Sequence, residues 1–199
     1  ECDKDDNCTL SMFDDIIVND WYHDGIHFCV EQGIMNGKGE GVFAPNENTT
    51  RAQLVTMLYR LAGEPPVAGK TEPFTDVAEN EWFYAPIVWA YENKVVNGVT
   101  ATEFAPNKEV SREQMVTILW RYAKYKGYDV SVGENTNILS YDDAFEISEY
   151  AIPAMQWACG AGVIQGIEQN NTMHLAPQGN AVRSQSAAVI YHFYTEIMK

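Results

Sequence analysis

Three arginines recur at one place in a repeated sequence pattern, and their chemistry is the most informative feature of this chain. Arg51, Arg112 and Arg183 each follow the residue at which a helix is expected to begin. A cation in the first helical turn opposes the helix dipole by a few tenths of a kcal/mol to about 1 kcal/mol. A guanidinium can nevertheless grip a carboxylate through two hydrogen bonds, and unpaired helix N–H groups add field of the same sign. The pattern is therefore typical of an anion site.

A structural interpretation of the same arginines is equally open on these residues. Each arginine can instead pair with an acid from a neighbouring copy of the pattern, because buried ion pairs are a common use of arginine at repeat junctions. The acids available for this are Asp15, Asp76 and Asp143.

Two tryptophans and two glycines accompany the first two arginines. Trp21 and Trp82 each lie 30 residues before an arginine. An indole can pack in the core, or it can stack on a sugar face with its N–H free to donate. Gly37 and Gly98 end a helical stretch and suit a left-handed residue at its C-terminus, and they also permit close approach of a ligand to the backbone.

The chain contains three copies of one unit. Copy one covers residues 13–63, copy two 74–127 and copy three 141–199, preceded by a polar tail at 1–12. Each copy has, in order, an aromatic–acid opening, an apolar helical stretch ending in a glycine turn, an Ala-Pro pair and the arginine. Copy three departs from this order because it has no tryptophan, has Val182 before its arginine and carries three extra residues around 168–174.

These landmarks predict a mainly α fold. Each copy reads helix, turn, extended segment and helix, with strand candidates only in short segments such as 42–43. Thr50 with Gln53, and Ser111 with Gln114, match the capping box; Val182 cannot cap, which weakens its helix start by about 1 kcal/mol. One copy of some fifty residues buries too little surface to stand alone. We therefore expect one domain of three helix-turn-helix repeats, packed as a three-pronged, pseudo-threefold bundle.

Composition excludes several classes of function. The formal charge of −15 disfavours nucleic-acid and anionic-membrane binding, which require a broad basic surface. No run of eighteen apolar residues is present, so we expect no membrane insertion. No nucleophile elbow, P-loop or dinucleotide motif appears, and the polar features repeat instead of forming one asymmetric site. We therefore expect no enzyme and no cofactor.

Cysteine and histidine give weaker signals. Cys2 and Cys8 could close a small disulfide loop outside the cell, whereas Cys29 and Cys159 are expected to be buried small apolar residues. Two histidines at helical i, i+4 spacing could bind zinc, but no second pair accompanies them, so an exposed helix face is the simpler interpretation. An acidic stretch near the N-terminus has the start of a calcium loop without its glycine and glutamate, which favours a solvated tail. These residues are His23, His27, Asp3, Asp5 and Asn7.

The ordered landmarks resemble the S-layer homology family over residues 13–199. Its features are the Phe-x-Asp opening, the tryptophan, the glycine turn, Phe-x-Pro and the Thr-Arg-Ala-Glu-like helix start, here Thr50-Arg51-Ala52-Gln53. The resemblance implies non-covalent anchoring of a larger surface protein at the cell surface, in the cell wall or S-layer. The implied partner is a secondary cell-wall polysaccharide, typically with pyruvylated amino sugars, held in grooves between copies. The implied ligand-binding residues are Arg51, Arg112, Arg183, Trp21, Trp82, Gly37, Gly98, Gln53, Gln114, Asp15 and Asp76.

The divergence of copy three limits this expectation. Its missing tryptophan, missing cap hydroxyl and longer loop predict two competent grooves, at Arg51 and Arg112, and leave the third in doubt. The rival interpretation is a structural or protein-interaction module with the same fold and no sugar binding, in which the arginines only join the copies.

Overall fold

The computed structural model describes residues 8–69, 72–131, 133 and 135–199. Within these residues the chain forms six α-helices, two in each copy, so the prediction of a mainly helical fold is confirmed. Short 3₁₀ turns at Thr9–Met12, Ala144–Glu146 and Glu149–Ala151 precede the first helices of copies one and three, and a π-helical turn, Tyr194–Met198, follows the last helix. The α-helices are α1 (His23–Glu31), α2 (Arg51–Leu61), α3 (Tyr84–Glu92), α4 (Arg112–Lys126), α5 (Ile152–Gly160) and α6 (Arg183–Phe193).

The starts of α2 and α4 carry the predicted capping boxes. The Thr50 hydroxyl accepts the backbone N–H of Gln53, and the Gln53 side-chain oxygen accepts the N–H of Thr50. Ser111 and Gln114 repeat the arrangement. At α6 only half of the capping box forms. The Gln185 side chain accepts the N–H of Val182, but the valine side chain has no oxygen to accept the N–H of Gln185. Each of these helices therefore begins at the expected residue.

One core draws on all three copies. Leu54 from copy one, Trp89 from copy two, and Trp157 and Phe193 from copy three belong to the same buried cluster, and all are 1% exposed or less. A smaller cluster gathers around Ile26 on α1 and extends to α6. The copies thus bury their apolar faces against one another, as units too small to fold alone must do.

A closed ring of backbone hydrogen bonds joins the segments that lead into the three second helices. The N–H of Thr49 donates to Ala181 at 2.8 Å, that of Ala181 to Val110 at 2.9 Å, and that of Val110 to Thr49 at 3.0 Å. One residue from each copy takes part. The ring fixes the order in which the copies follow one another and brings their helix starts together.

The turn glycines do not have the predicted conformation. Left-handed residues follow the first helices at Gly33, Lys94 and Gly162, and not at the glycines of the turn motif. A Cβ at Gly37 or Gly98 would lie 2.6 or 2.5 Å from the ring of the phenylalanine that opens the same copy. These glycines are therefore required by the close approach of that ring, and the left-handed prediction is wrong.

The extra residues of copy three form a β-hairpin where a polar loop was expected. Strand β1 (Ile167–Gln169) pairs antiparallel with β2 (Thr172–His174). Asn170 and Asn171, both with positive φ, make the turn, as two-residue hairpin turns favour. The expected strand candidate at 42–43 provides only an isolated bridge between Gly39 and Val42.

The N-terminal segment and two of the weaker signals also differ from expectation. The sequence predicts a polar tail over residues 1–12, but residues 9–12 form a 3₁₀ turn in which Leu10 is fully buried against the α1 cluster. His23 is 1% exposed and stacks on His27, so the exposed-face interpretation is wrong for it. No group of three metal-ligating side chains occurs in the described part of the chain.

The structure describes Cys29 and Cys159 but not Cys2. Cys29 is fully buried, as expected, and Cys159 is partly buried against the shared core. Cys2, Asp3, Asp5 and Asn7 lie outside the described residues, and the expected disulfide and acidic tail lie there with them.

Candidate functional site

The three arginines cross from one copy to the next in a fixed direction. Arg51 donates from Nε to the carbonyl of Phe104 at 2.8 Å and from Nη2 to that of Asn97 at 2.9 Å. Arg112 repeats this toward copy three, and Arg183 toward copy one. Their acceptors are Leu175 (2.8 Å) and Gln165 (3.2 Å) for Arg112, and Phe43 (3.0 Å) and Asn36 (2.8 Å) for Arg183. Each guanidinium thus joins the glycine turn and the Ala-Pro segment of the next copy.

The acids that open the copies do not pair directly with these arginines. Both oxygens of Asp15 accept backbone N–H groups, from Phe43 at 2.8 Å and Ala44 at 2.7 Å, and Asp76 and Asp143 make the equivalent bonds in their own copies. The bonds hold an alanine at positive φ in each copy. No carboxylate lies within 4.0 Å of the three guanidinium groups among the described residues, so the predicted ion pairs are absent.

Burial of the three arginines has an electrostatic consequence. The arginines are 5–7% exposed, and desolvation lowers the pKa of all three. The charges of Asp76, Asp143 and Asp15 act to raise the pKa of Arg51, Arg112 and Arg183 respectively, and Glu47 acts on Arg183 in the same direction. The opening acids therefore stabilise the cations through space while they hold the backbone.

The helix N–H groups are not available to a ligand, contrary to the sequence interpretation. The first two N–H groups of α2 donate to Lys108 and Pro106 of copy two, and those of α4 and α6 do the same to the copy that follows. The third N–H group of α2 and of α4 donates to the cap hydroxyl. The helix starts are thus used to join copies, and an anion must be held by side chains.

One edge of each guanidinium stays open. Nε and Nη2 face backbone carbonyls, whereas Nη1 of all three arginines has no hydrogen-bond partner among the described residues. These Nη1 atoms are not among the buried polar atoms that lack a partner, so solvent reaches them. A ligand carboxylate would therefore meet the Nη1 end of the guanidinium instead of the Nε–Nη2 fork.

Arg112 lines a cleft of about 430 Å³. Trp21 of copy one and Arg112 of copy two lie on its wall together with the turn at Gln165 and Gly166 of copy three. Residues of α6, among them Gln185 and His192, complete the lining. The structure thus brings together a predicted tryptophan and a predicted arginine from different copies, and all three copies contribute.

The surroundings of Arg51 contain an aromatic residue, Tyr150, that the sequence did not identify as a ligand-binding residue. The residue before the N-cap of the first helix is Trp21 in copy one, Trp82 in copy two and Tyr150 in copy three. Tyr150 is 52% exposed, comparable to the 64% of Trp21 and the 57% of Trp82. Its hydroxyl donates to Glu113 at 3.0 Å. Copy three has one more residue between its acid and this aromatic residue, which hid the equivalence in the sequence.

A carboxylate, Glu113, lies beside Tyr150, whereas no carboxylate among the described residues lines the Arg112 cleft. Burial first, and then the hydrogen bond to Glu113, raise the pKa of Tyr150 to about 12, while the charge of Arg121 acts to lower it. Glu113 is 2% exposed and also accepts the N–H and hydroxyl of Ser148. The carboxylate is therefore satisfied by copy three and connects it to α4.

The predicted glutamines and glycines lie close in sequence to groups that hold the helix starts or bind the arginines. Gln53 and Gln114 use their side-chain oxygens on the caps, which leaves the amide NH₂ groups as their donors. Gly37 and Gly98 directly follow the asparagines whose carbonyls bind Arg183 and Arg51. Trp82 is exposed, its ring lies 5.2 Å from that of Phe83 between centroids, and it does not line the Arg112 cleft.

Comparisons with known proteins agree with this architecture. The S-layer homology domain matches residues 13–55, 73–116 and 140–185. An amylopullulanase of Thermoanaerobacterium thermosulfurigenes is 31% identical over 90% of this chain and 9% of its own length. A surface-layer 125 kDa protein of Lysinibacillus sphaericus is 28% identical over 86% of this chain and 14% of its own. The exoglucanase XynX of Acetivibrio thermocellus is 31% identical over 90% and 16%.

This chain spans less than a fifth of the length of those three relatives. In the described residues, no helix combines the length and apolarity needed to cross a bilayer. Three matches of the same domain coincide with the three copies and with the arginines that join them. The chain belongs to the S-layer homology family.

Proposed function

We propose that this chain anchors a larger surface protein to the bacterial cell wall by binding an acidic secondary cell-wall polysaccharide. Family membership supports a location at the cell surface or cell wall and anchoring in general. Relatives include proteins named for the surface layer or the cell surface. Enzyme names among the relatives belong to proteins of which this chain matches a small part, so we expect no catalysis here.

The observation that carries the proposal is the cleft beside Arg112. It offers an unpaired guanidinium edge, an indole face and amide groups with no carboxylate on its wall in the described part of the chain. An acidic sugar needs a cation for its carboxylate and an apolar platform for its ring. We infer that its carboxylate, a ketal-linked pyruvate on an amino sugar, lies against Arg112 while its ring stacks on Trp21.

The cyclic order of the copies supports equivalent grooves and a pseudo-threefold arrangement. Each arginine binds the next copy through the same two carbonyl positions, and the backbone ring uses the same residue position in each copy. We propose that residues 13–63, 74–127 and 141–199 form one structural domain with a groove at every junction. Several weak grooves facing a repeating polymer would strengthen retention by avidity.

A structural or protein-interaction module is the second candidate. It is favoured by one observation, namely that two of the three nitrogens of each guanidinium already bind carbonyls of the next copy. In that case the arginines would serve assembly alone, and wall material would not be retained.

Retention on purified cell-wall material separates the two candidates. Because the arginines also join the copies, the sharper variant is the double substitution Trp21→Ala and Trp82→Ala, which removes two exposed rings. We expect retention to fall by about tenfold or more, the effect of losing an aromatic anchor. Phe145→Ala, at an 89% exposed ring, is the matched control.

Chemical removal of ketal-linked pyruvate from the wall material should lower retention of the unmodified chain to a similar degree. Equal retention of the double variant and the Phe145→Ala control would refute the site. Equal retention on treated and untreated wall would refute the acidic ligand.

A further inference from the structure

The second helices share another ionisable position, nine residues after each arginine. It holds Arg60 in α2, Arg121 in α4 and His192 in α6. Arg60 donates to the carbonyl of Ile34 at 3.2 Å, two residues before the carbonyl that binds Arg183. Arg121 is close enough to Arg51 to lower its pKa, after the larger effect of burial. His192 lies on the wall of the Arg112 cleft. In copies two and three this position therefore lies near an arginine that joins the copies, Arg51 for Arg121 and Arg112 for His192.

The three junctions consequently differ in permanent charge. A guanidinium remains charged at every physiological pH, whereas imidazole is the side chain that changes charge between about pH 5 and pH 8. Arg51 has a second guanidinium, that of Arg121, close enough to act on its pKa. At the junction of Arg183, Arg60 is held by the carbonyl of Ile34 and pairs with Glu64 at 3.9 Å. The Arg112 cleft has a half-buried imidazole in that place.

The groups around His192 leave its charge free to act on a ligand. Arg112 lines the same cleft, and no carboxylate lines it in the described residues. On its own helix Tyr191 lies beside it, with ring centroids 6.2 Å apart, and the exposed Glu196 follows one turn later. Helix α1, which packs against α6, contributes the ring of Phe28 near Tyr191.

We propose that His192 determines the charge specificity of the Trp21–Arg112 cleft. Its protonated imidazole supplies a second cation beside Arg112, as the guanidinium of Arg121 does near Arg51. This cleft therefore binds an acidic sugar more tightly in mildly acidic solution than in mildly basic solution. The inference rests on the proposed function, because it concerns the ligand of the same cleft.

The test follows binding at this cleft alone. The probe is an N-acetylhexosamine methyl glycoside that carries a pyruvate ketal, titrated at about pH 5.5 and about pH 8. The reporter is the indole N–H signal of Trp21 in a proton–nitrogen NMR spectrum, assigned with Trp21→Phe. The same glycoside without the ketal is the control ligand. We expect affinity at the lower pH to exceed that at the higher pH by about two- to fivefold, the range for one partly exposed ion pair.

Two variants at the same position complete the experiment. His192→Arg should bind the acidic probe at the higher pH as tightly as the unmodified chain does at the lower pH, with no pH dependence. His192→Gln should bind weakly at both. A pH dependence that persists in His192→Gln, or none in the unmodified chain, would overturn the inference and leave the proposed function standing. No response of Trp21 to the probe at either pH would overturn both.

Discussion

Substitution of Arg112 by methionine tests whether the arginines hold the copies together. Methionine fills much of the same space but donates no hydrogen bond. The change would leave the carbonyl of Leu175 without its buried partner and that of Gln165 without a half-buried one. An unsatisfied buried acceptor costs more than the mean value of a hydrogen bond, because its desolvation is not compensated.

The size of the effect follows from these two bonds. Hydrogen bonds to a charged donor contribute about 1.5–3 kcal/mol each. Relief of the guanidinium from burial offsets part of the loss. We therefore expect the free energy of unfolding to fall by about 2–4 kcal/mol, which in a chain of this length lowers Tm by roughly 5–15 °C. Two such substitutions together would approach the total stability of a typical domain, about 5–15 kcal/mol.

The assay is urea denaturation followed by tryptophan fluorescence, with Arg121→Met as the matched control. Arg121 lies on the same helix and has no hydrogen bond among the described residues, so its substitution should change stability by less than about 0.5 kcal/mol. Equal unfolding free energies for the two variants would refute the claim that Arg112 joins copies two and three.

Three further changes probe the helix starts and turns. Gly98→Ala should destabilise the chain by about 1–3 kcal/mol, because the new Cβ would overlap the opening ring of copy two, whereas Gly39→Ala, with nothing within 4 Å, should be nearly neutral by the same denaturation assay. Val182→Thr supplies the missing cap hydroxyl and should raise the unfolding free energy by about 0.5–1 kcal/mol; a decrease would contradict the half-formed cap. Because the pKa of Tyr150 is raised to about 12 in the folded chain, its stabilising contribution is complete below the unfolded value of about 10 and is lost as pH rises through about 12. Tyr150→Phe should therefore lose less stability over that interval, and identical alkaline unfolding curves would argue against a stabilising hydrogen bond from Tyr150 to Glu113.

Local chemistry made much of this molecule readable from the sequence. The capping pairs, the apolar periodicity and the constant spacing of tryptophan and arginine depend on neighbours within one copy. They identified six helices, three copies and the arginines that matter. The equivalence of Tyr150 with the tryptophans was missed because a single inserted residue shifts the alignment, and the hairpin of copy three was hidden in a polar loop.

Contacts between copies were decided by the tertiary structure alone. The residue types alone favoured neither an acid nor a ligand as partner for the arginines, although the family resemblance favoured a ligand for Arg51 and Arg112. In the fold, two of the three nitrogens of each guanidinium donate to backbone carbonyls, which have no side-chain signature. The first N–H groups of these helices likewise donate to backbone carbonyls of the next copy. The cleft joins Trp21, Arg112 and His192 from three separate copies, because closing a ring of repeats brings together residues that no linear spacing relates.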